Sequence, residues 1–158
     1  MTDQFASCRC GQARLEMAGK PIVATVCHCS SCQKAGRSLA ALADATTVMD
    51  DHGGTALVLY RKDQVRCVRG ETSLAEFRLN PDSPTRRIVA KCCNTAMFLD
   101  FTKGHWVSIY RGRVSPGVSV VERKSRLFIL DLMWAWATMG FRTPKIEFVR
   151  GGVLDLPV

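Results

Sequence analysis

The sequence predicts a mainly β fold of short antiparallel strands closed by one C-terminal helix, and three observations carry that prediction. Short alternating or β-branched apolar runs, parted by turn residues, recur from "QARLEM" to "HWVSIYRGRV". Helix-long apolar content collects near the end, in "LFILDLMWAWATMGF" from Leu127 to Phe141. Seven of the eight cysteines fall into three clusters, Cys8 with Cys10, Cys27 to Cys32, and Cys92 with Cys93, which would draw distant strands together if they share metals.

Taken in order, Ala13, Leu15 and Met17 alternate strictly, and a Gly-Lys-Pro break parts them from the β-branched run Ile22 to Val26. Two strands joined by a turn are expected there. Gln33 to Ala45, rich in Ala and Leu, reads as a short helix, with Gly36 working against it. "DHGGT" at Asp51 to Thr55 is a turn, and "TALVLYRKDQVRCVRG" reads as a hairpin with Arg61 to Gln64 near its tip. "SLAEFRLN", "RRIVAKCC", "TAMFLDF" and "HWVSIYRGRV" follow as strands. A helix over about 123–139 closes the chain, with a charged start and Gly140 placed as a C-cap glycine.

At 158 residues, without repeat, low-complexity tract or long linker, the chain fits a single domain over 1–158. With 47% hydrophobic and 23% charged residues, the composition excludes a disordered or fibrous protein. The N-terminus shows no basic segment followed by an apolar one, so a cytoplasmic location is expected. Leu127 to Phe141 carries Asp131 and falls short of the roughly 20 residues of a bilayer span, so no membrane association is expected. A net charge of +8 attracts nucleic acid, acidic surfaces and small anions alike. Aromatic residues, few of them interleaved with basic ones, argue against a nucleic-acid stacking platform. Trp134 and Trp136 cannot share one helical face, so one should pack and the other offer a subunit contact in a homodimer.

In a reducing compartment clustered cysteines point to metal or catalysis rather than disulfides. Zinc takes four tetrahedral ligands, and two cysteines one or two residues apart supply two corners from one turn. In C-x-C on an extended strand, residues i and i+2 share a face, so Cys8 projects with Cys10 and Cys27 with Cys29. Cys32 would join the latter from the following turn. Cys27, Cys29 and Cys32 then form a three-thiolate set with an open fourth position, the pattern of a catalytic zinc. Cys92 and Cys93 can complete Cys8 and Cys10 as a closed structural site. His28 alternates away from its neighbours, and Cys67, inside a strand pattern, stands in reserve as a ligand.

"CRCG" near the N-terminus, "CHCSSCQKAG" from Cys27, and a cysteine pair before a "GT"-like turn resemble the glutathione-dependent formaldehyde-activating enzyme family, which includes the centromere protein V group. The resemblance spans residues 7–111 and leaves 112–158 as an extension. It implies an Mss4-like fold of small twisted sheets and two zinc ions, a structural one on the Cys8 and Cys10 pair and a second at Cys27, Cys29 and Cys32. The implied reaction is carbon-sulfur lyase chemistry, formation or cleavage of S-hydroxymethylglutathione from glutathione and formaldehyde. One departure stands out: where the family has C-x-x-C-G-T this chain reads "AKCCNT", with Ala90 in the first cysteine's place and Asn94 in the glycine's. That is similar to a variant branch of the superfamily. Cys93 matches the second cysteine, so either Cys92 supplies the missing ligand or the site has three sulfurs.

Two functions stay open at this level. One is a zinc-thiolate enzyme that activates a small thiol such as glutathione at the open position, with Arg86, Arg87 and Lys91 gripping its carboxylates. The other is a non-catalytic, zinc-stabilised binding or scaffold module for a protein or nucleic acid.

Overall fold

The computed structural model describes residues 4–116 and 128–158. Among them nine strands form two antiparallel sheets. β1 (Gln4–Ser7), β2 (Arg14–Met17) and β5 (Val65–Arg69) make a three-stranded sheet in the order β1-β2-β5. The larger sheet runs β3-β4-β9-β8-β7-β6. Its strands are β3 (Val23–Cys27), β4 (Thr55–Arg61), β6 (Leu74–Phe77), β7 (Thr85–Ala90), β8 (Thr95–Phe101) and β9 (Trp106–Tyr110). Two helices, α1 (Ser30–Ala40) and α2 (Phe128–Thr138), complete the fold. The mainly β class with a C-terminal helix is as the sequence predicts. No helix among the described residues is long and apolar enough to cross a membrane.

Alternation decides which side chains meet. Leu15 and Met17 of β2 are fully buried, and with Ala6 they face Val58, Tyr60, Ile88, Phe98, Val107 and Ile109 of the larger sheet. Odd-even neighbours of those residues, Leu57, Leu59, Val89, Leu99 and Tyr110, point to the other face and pack against Ala35 and Leu39 of α1 and Leu132 of α2. The larger sheet is thus covered on both sides.

Two local readings change. The run from Thr55 to Gly70 is no hairpin: β4 pairs with β3 and β9, whereas β5 pairs with β2 in the other sheet. The reason is Lys62, which opens a short 3₁₀ turn between them with its side chain drawn inward. Its Nζ lies 2.8 Å from Asp100 Oδ1 and donates to the Phe101 carbonyl, so the chain crosses between sheets at a buried ion pair. The first helix begins at Ser30 and ends at Ala40, three residues earlier and five residues shorter at its end than expected. Gly36 is tolerated because the helix packs so closely on Met49 that a Cβ there would sit 2.7 Å from its sulfur. The last helix is described from Phe128, and 123–127 lie outside the described residues. It closes as foreseen at Gly140 (φ 64°), where Phe141 N–H reaches the Trp136 carbonyl and Gly140 N–H that of Ala137, a Schellman motif.

Trp136 packs inward, stacked on His105 at 5.8 Å, while Trp134 is 74% exposed beside exposed Ile129, Leu130 and Met133. Asp100, buried in β8, receives Lys62 on one oxygen and Arg86 on the other, and Arg86 continues to Glu76 and to the Ile146 carbonyl. Burial alone would raise the Glu76 carboxyl, but hydrogen bonds from Arg86 and Arg78 outweigh it and hold it below the usual range.

Asp100→Ala strands buried Lys62 and takes one of two carboxylates from Arg86, and is expected to cost about 3 to 5 kcal/mol of folding stability, read by chemical denaturation. Because the folded Glu76 carboxyl sits below its ordinary 4.5, its contribution is complete above that pH and fades as pH falls through the lowered value. Glu76→Gln should therefore lower the unfolding midpoint at neutral pH and match the wild type in strong acid.

Candidate metal centres

Two groups of cysteines converge. Cys8, Cys10, Cys92 and Cys93 form one and Cys27, Cys29 and Cys32 the other, with the sulfurs of each group within 4.8 Å of one another. None of the eight cysteines is in a disulfide.

The four-sulfur group joins the two sheets. β1 stops at Ser7, so Cys8 and Cys10 lie in a turn rather than on an extended strand as their spacing suggests. Gly11 N–H closes that turn on the Cys8 carbonyl, and Ala13 N–H donates to Cys8 Sγ at 3.2 Å. Cys92 and Cys93 come from the turn between β7 and β8, where Asn94 adopts a left-handed φ of 51°. The Cys8–Cys10, Cys8–Cys92, Cys10–Cys92 and Cys92–Cys93 sulfur distances are 3.6, 3.7, 3.4 and 3.9 Å. A tetrahedron of sulfurs about 2.3 Å from a central zinc has edges of about 3.8 Å, so the set fits a closed site. Burial raises the Cys8 and Cys92 thiols, while hydrogen bonds from Thr95 and Cys10 overcome burial at Cys93 and bring it down to about 6.

The second group forms where the edge strand β3 gives way to α1. Cys27 is the last residue of β3, and Cys29 is the N-cap of α1, its thiol accepting the Cys32 N–H at 3.4 Å. Cys32 therefore sits in the first helical turn, 3.4 Å separates the Cys27 and Cys29 sulfurs, and Cys29 is exposed. Hydrogen bonding from Cys32, opposed by burial and helped by Cys29, lowers Cys27 to about 5, and the same sharing with burial raises Cys32. The helix N-terminus adds its partial positive charge. Among the described residues no fourth cysteine, histidine or carboxylate joins this group.

The sequence profile of the glutathione-dependent formaldehyde-activating enzyme family matches residues 4–124, about three quarters of the chain. This chain belongs to that family. A Rhodobacter sphaeroides protein of known crystal structure shares the fold, at 16% identity and a TM-score of 0.50, covering 73% of this chain and 90% of its own. No curated protein matches the chain.

Around the two cysteine groups, the other residues singled out from sequence separate. Arg86 and Arg87, adjacent on β7, point to opposite faces: Arg86 is taken up by Asp100, Glu76 and Ile146. Arg87 is buried at 1% exposure and donates to the carbonyl and hydroxyl of Ser31, between Cys29 and Cys32. Lys91 is exposed beside the four-sulfur group and donates to the Gly151 carbonyl. These three cations do not meet. His28 is exposed and outside the trio, and Cys67 donates to the Arg69 carbonyl, away from both groups. Two residues were not anticipated. Thr95 places its Oγ1 3.0 Å from Cys93 Sγ and accepts from Arg9 N–H, a role legible only as the last letter of "CCNT". Arg113, half-buried, is near enough to feel Cys93 and Cys8, and no sequence pattern marks it.

Asn94 holds the left-handed position at the second knuckle and donates from Nδ2 to the Ala43 carbonyl. Asn94→Gly should preserve metal content and stability to within about 0.5 kcal/mol, and Asn94→Ala should cost about 1 to 2 kcal/mol, measured by thermal unfolding with metal analysis.

Proposed function

We propose that the chain is a zinc-thiolate enzyme of the carbon-sulfur lyase type, joining a small thiol such as glutathione to formaldehyde at Cys27, Cys29 and Cys32. The observation that carries this reading is the difference between the two cysteine groups. Four sulfurs satisfy zinc fully, while the trio leaves one tetrahedral corner for an exchangeable ligand. Zinc bound there would acidify an incoming thiol near neutral pH. A site with three thiolates is already electron-rich, so activation of the thiol outweighs polarisation of the carbonyl.

The chain's own residues supply position and access. Cys29, as helix cap, and Cys27, as strand end, hold two sulfurs on an exposed edge, and Cys32 adds the third from the helix. In the reaction the thiol sulfur bonds to the carbonyl carbon, and the thiol proton ends on the former carbonyl oxygen. The four-sulfur group, joining the two sheets, would hold a structural zinc and take no part in that exchange.

The exposed apolar face of α2 around Leu130 and Trp134 favours a second reading, a zinc-stabilised binding module in which neither metal reacts. Zinc-edge X-ray absorption with and without glutathione separates the two. In the enzyme the mean sulfur number should rise from about 3.5 to about 4, and in the module it should not change. Cys32→Ser should reduce S-hydroxymethylglutathione formation to background while leaving the four-sulfur site and the fold intact. Undiminished turnover in that variant would remove the trio from the chemistry.

A further inference from the structure

Arg87 has the largest fully buried side chain among the described residues, and it carries a charge. Its Nη2 donates to Ser31 O at 3.2 Å and Ser31 Oγ at 3.1 Å, while Nε and Nη1 are buried without a partner. Among the described residues no carboxylate lies within ion-pair distance of it, in contrast to Arg86 next door, which is paired with both Asp100 and Glu76. A buried guanidinium without a counter-ion is among the costliest arrangements in a protein interior, and buried charges are as a rule paired with charge of opposite sign.

Hydrogen bonds from Arg87 lead to the turn that carries the trio. Ser31 lies between Cys29 and Cys32 in the first turn of α1, so the guanidinium is tied to the ligand-bearing turn itself. Tyr110, buried on the same face of the sheet, is close enough to feel both Arg87 and Cys32. Three thiolates on a zinc dication leave a charge of about −1, and a fourth thiolate makes it about −2. One internal cation is the complement of the first state and moderates the second.

We propose that Arg87 is the internal counter-charge of the Cys27, Cys29 and Cys32 site, a positioning residue that favours its metal-loaded form and balances an added thiolate. This rests on the reading that the trio binds zinc, and it is independent of which thiol or carbonyl reacts. It has a distinctive consequence. The charge it complements is that of the loaded site, so its removal should be felt when the second zinc is bound.

The test uses the full chain as wild type, Arg87→Met and Arg87→Lys. Zinc affinity is measured by competition with a chromogenic chelator, and unfolding midpoints are measured with one and with two zincs bound. Arg87→Met should weaken the second zinc by about 10- to 100-fold, whereas Arg87→Lys, which keeps the charge without the fork, should remain within a few fold of wild type. Arg87→Met should also unfold before the wild type with two zincs bound, yet no earlier than the wild type with one. Equal destabilisation in both metal states with unchanged zinc affinity would make Arg87 a purely structural tie to Ser31 and overturn the proposal. So would Arg87→Lys losing as much affinity as Arg87→Met. A wild type that takes up one zinc only overturns the metal reading of the trio itself, which the stoichiometry reports before any variant is compared.

Discussion

The convergence of four sulfurs from two turns is the constraint on which the rest depends. The small sheet offers only a few large apolar side chains, chiefly Leu15 and Met17, to the larger one, and Cys8 and Cys10 extend that contact directly to Cys92 and Cys93. Once those turns are brought together, β1 and β2 are set over β7 and β8, and the core between the sheets closes around Ile88 and Phe98. Metal binding at such a site is folding free energy, since the ligands come from segments more than 80 residues apart.

Charge inside the protein follows the same geography. Lys62, Arg86 and Arg78 share the carboxylates of Asp100 and Glu76, a network whose Lys62 end carries the chain across from β4 to β5. Arginines near the cysteine groups are different. Arg113 lies near Cys8 and Cys93, and Arg87 holds the turn between Cys29 and Cys32, with buried Tyr110 in electrostatic reach of both arginines. A metal-loaded four-thiolate site carries about −2 and a three-thiolate site about −1, so interior cations belong beside them.

Position in the sheet separates the two groups chemically. Cys92 and Cys93 sit at the turn between two interior strands, where Cys8 and Cys10 of the small-sheet side bring the group to four sulfurs. The trio lies at the end of an edge strand, where β3 has one neighbour and Cys29 faces solvent. At the opposite edge the C-terminal tail covers β6 through a bridge from Val153 to Glu76, so of the two edges only that bearing the trio opens at a cysteine group.

Much of this was legible in the chain. Alternation at Ala13, Leu15 and Met17, the strand runs after Gly70, Gly140 at the helix end and the clustering of cysteines all act through nearest neighbours, and backbone periodicity expresses them directly. Strand pairing did not follow in the same way. Thr55 to Gly70 has the pattern of a hairpin, yet it divides between two sheets because Asp100, 38 residues from Lys62 in sequence, provides a buried partner for that lysine. The helix boundary moved for a related reason: Cys29 can cap α1 only when its thiol is turned toward the Cys32 amide. Likewise the pairs Arg86–Asp100 and Arg87–Ser31 assign two adjacent arginines to unrelated tasks. Local pattern determined strands, turns and ligand types. Which side chains meet across the sheets, and with what balance of charge, was settled by long-range packing, where each contact depends on all the others being made.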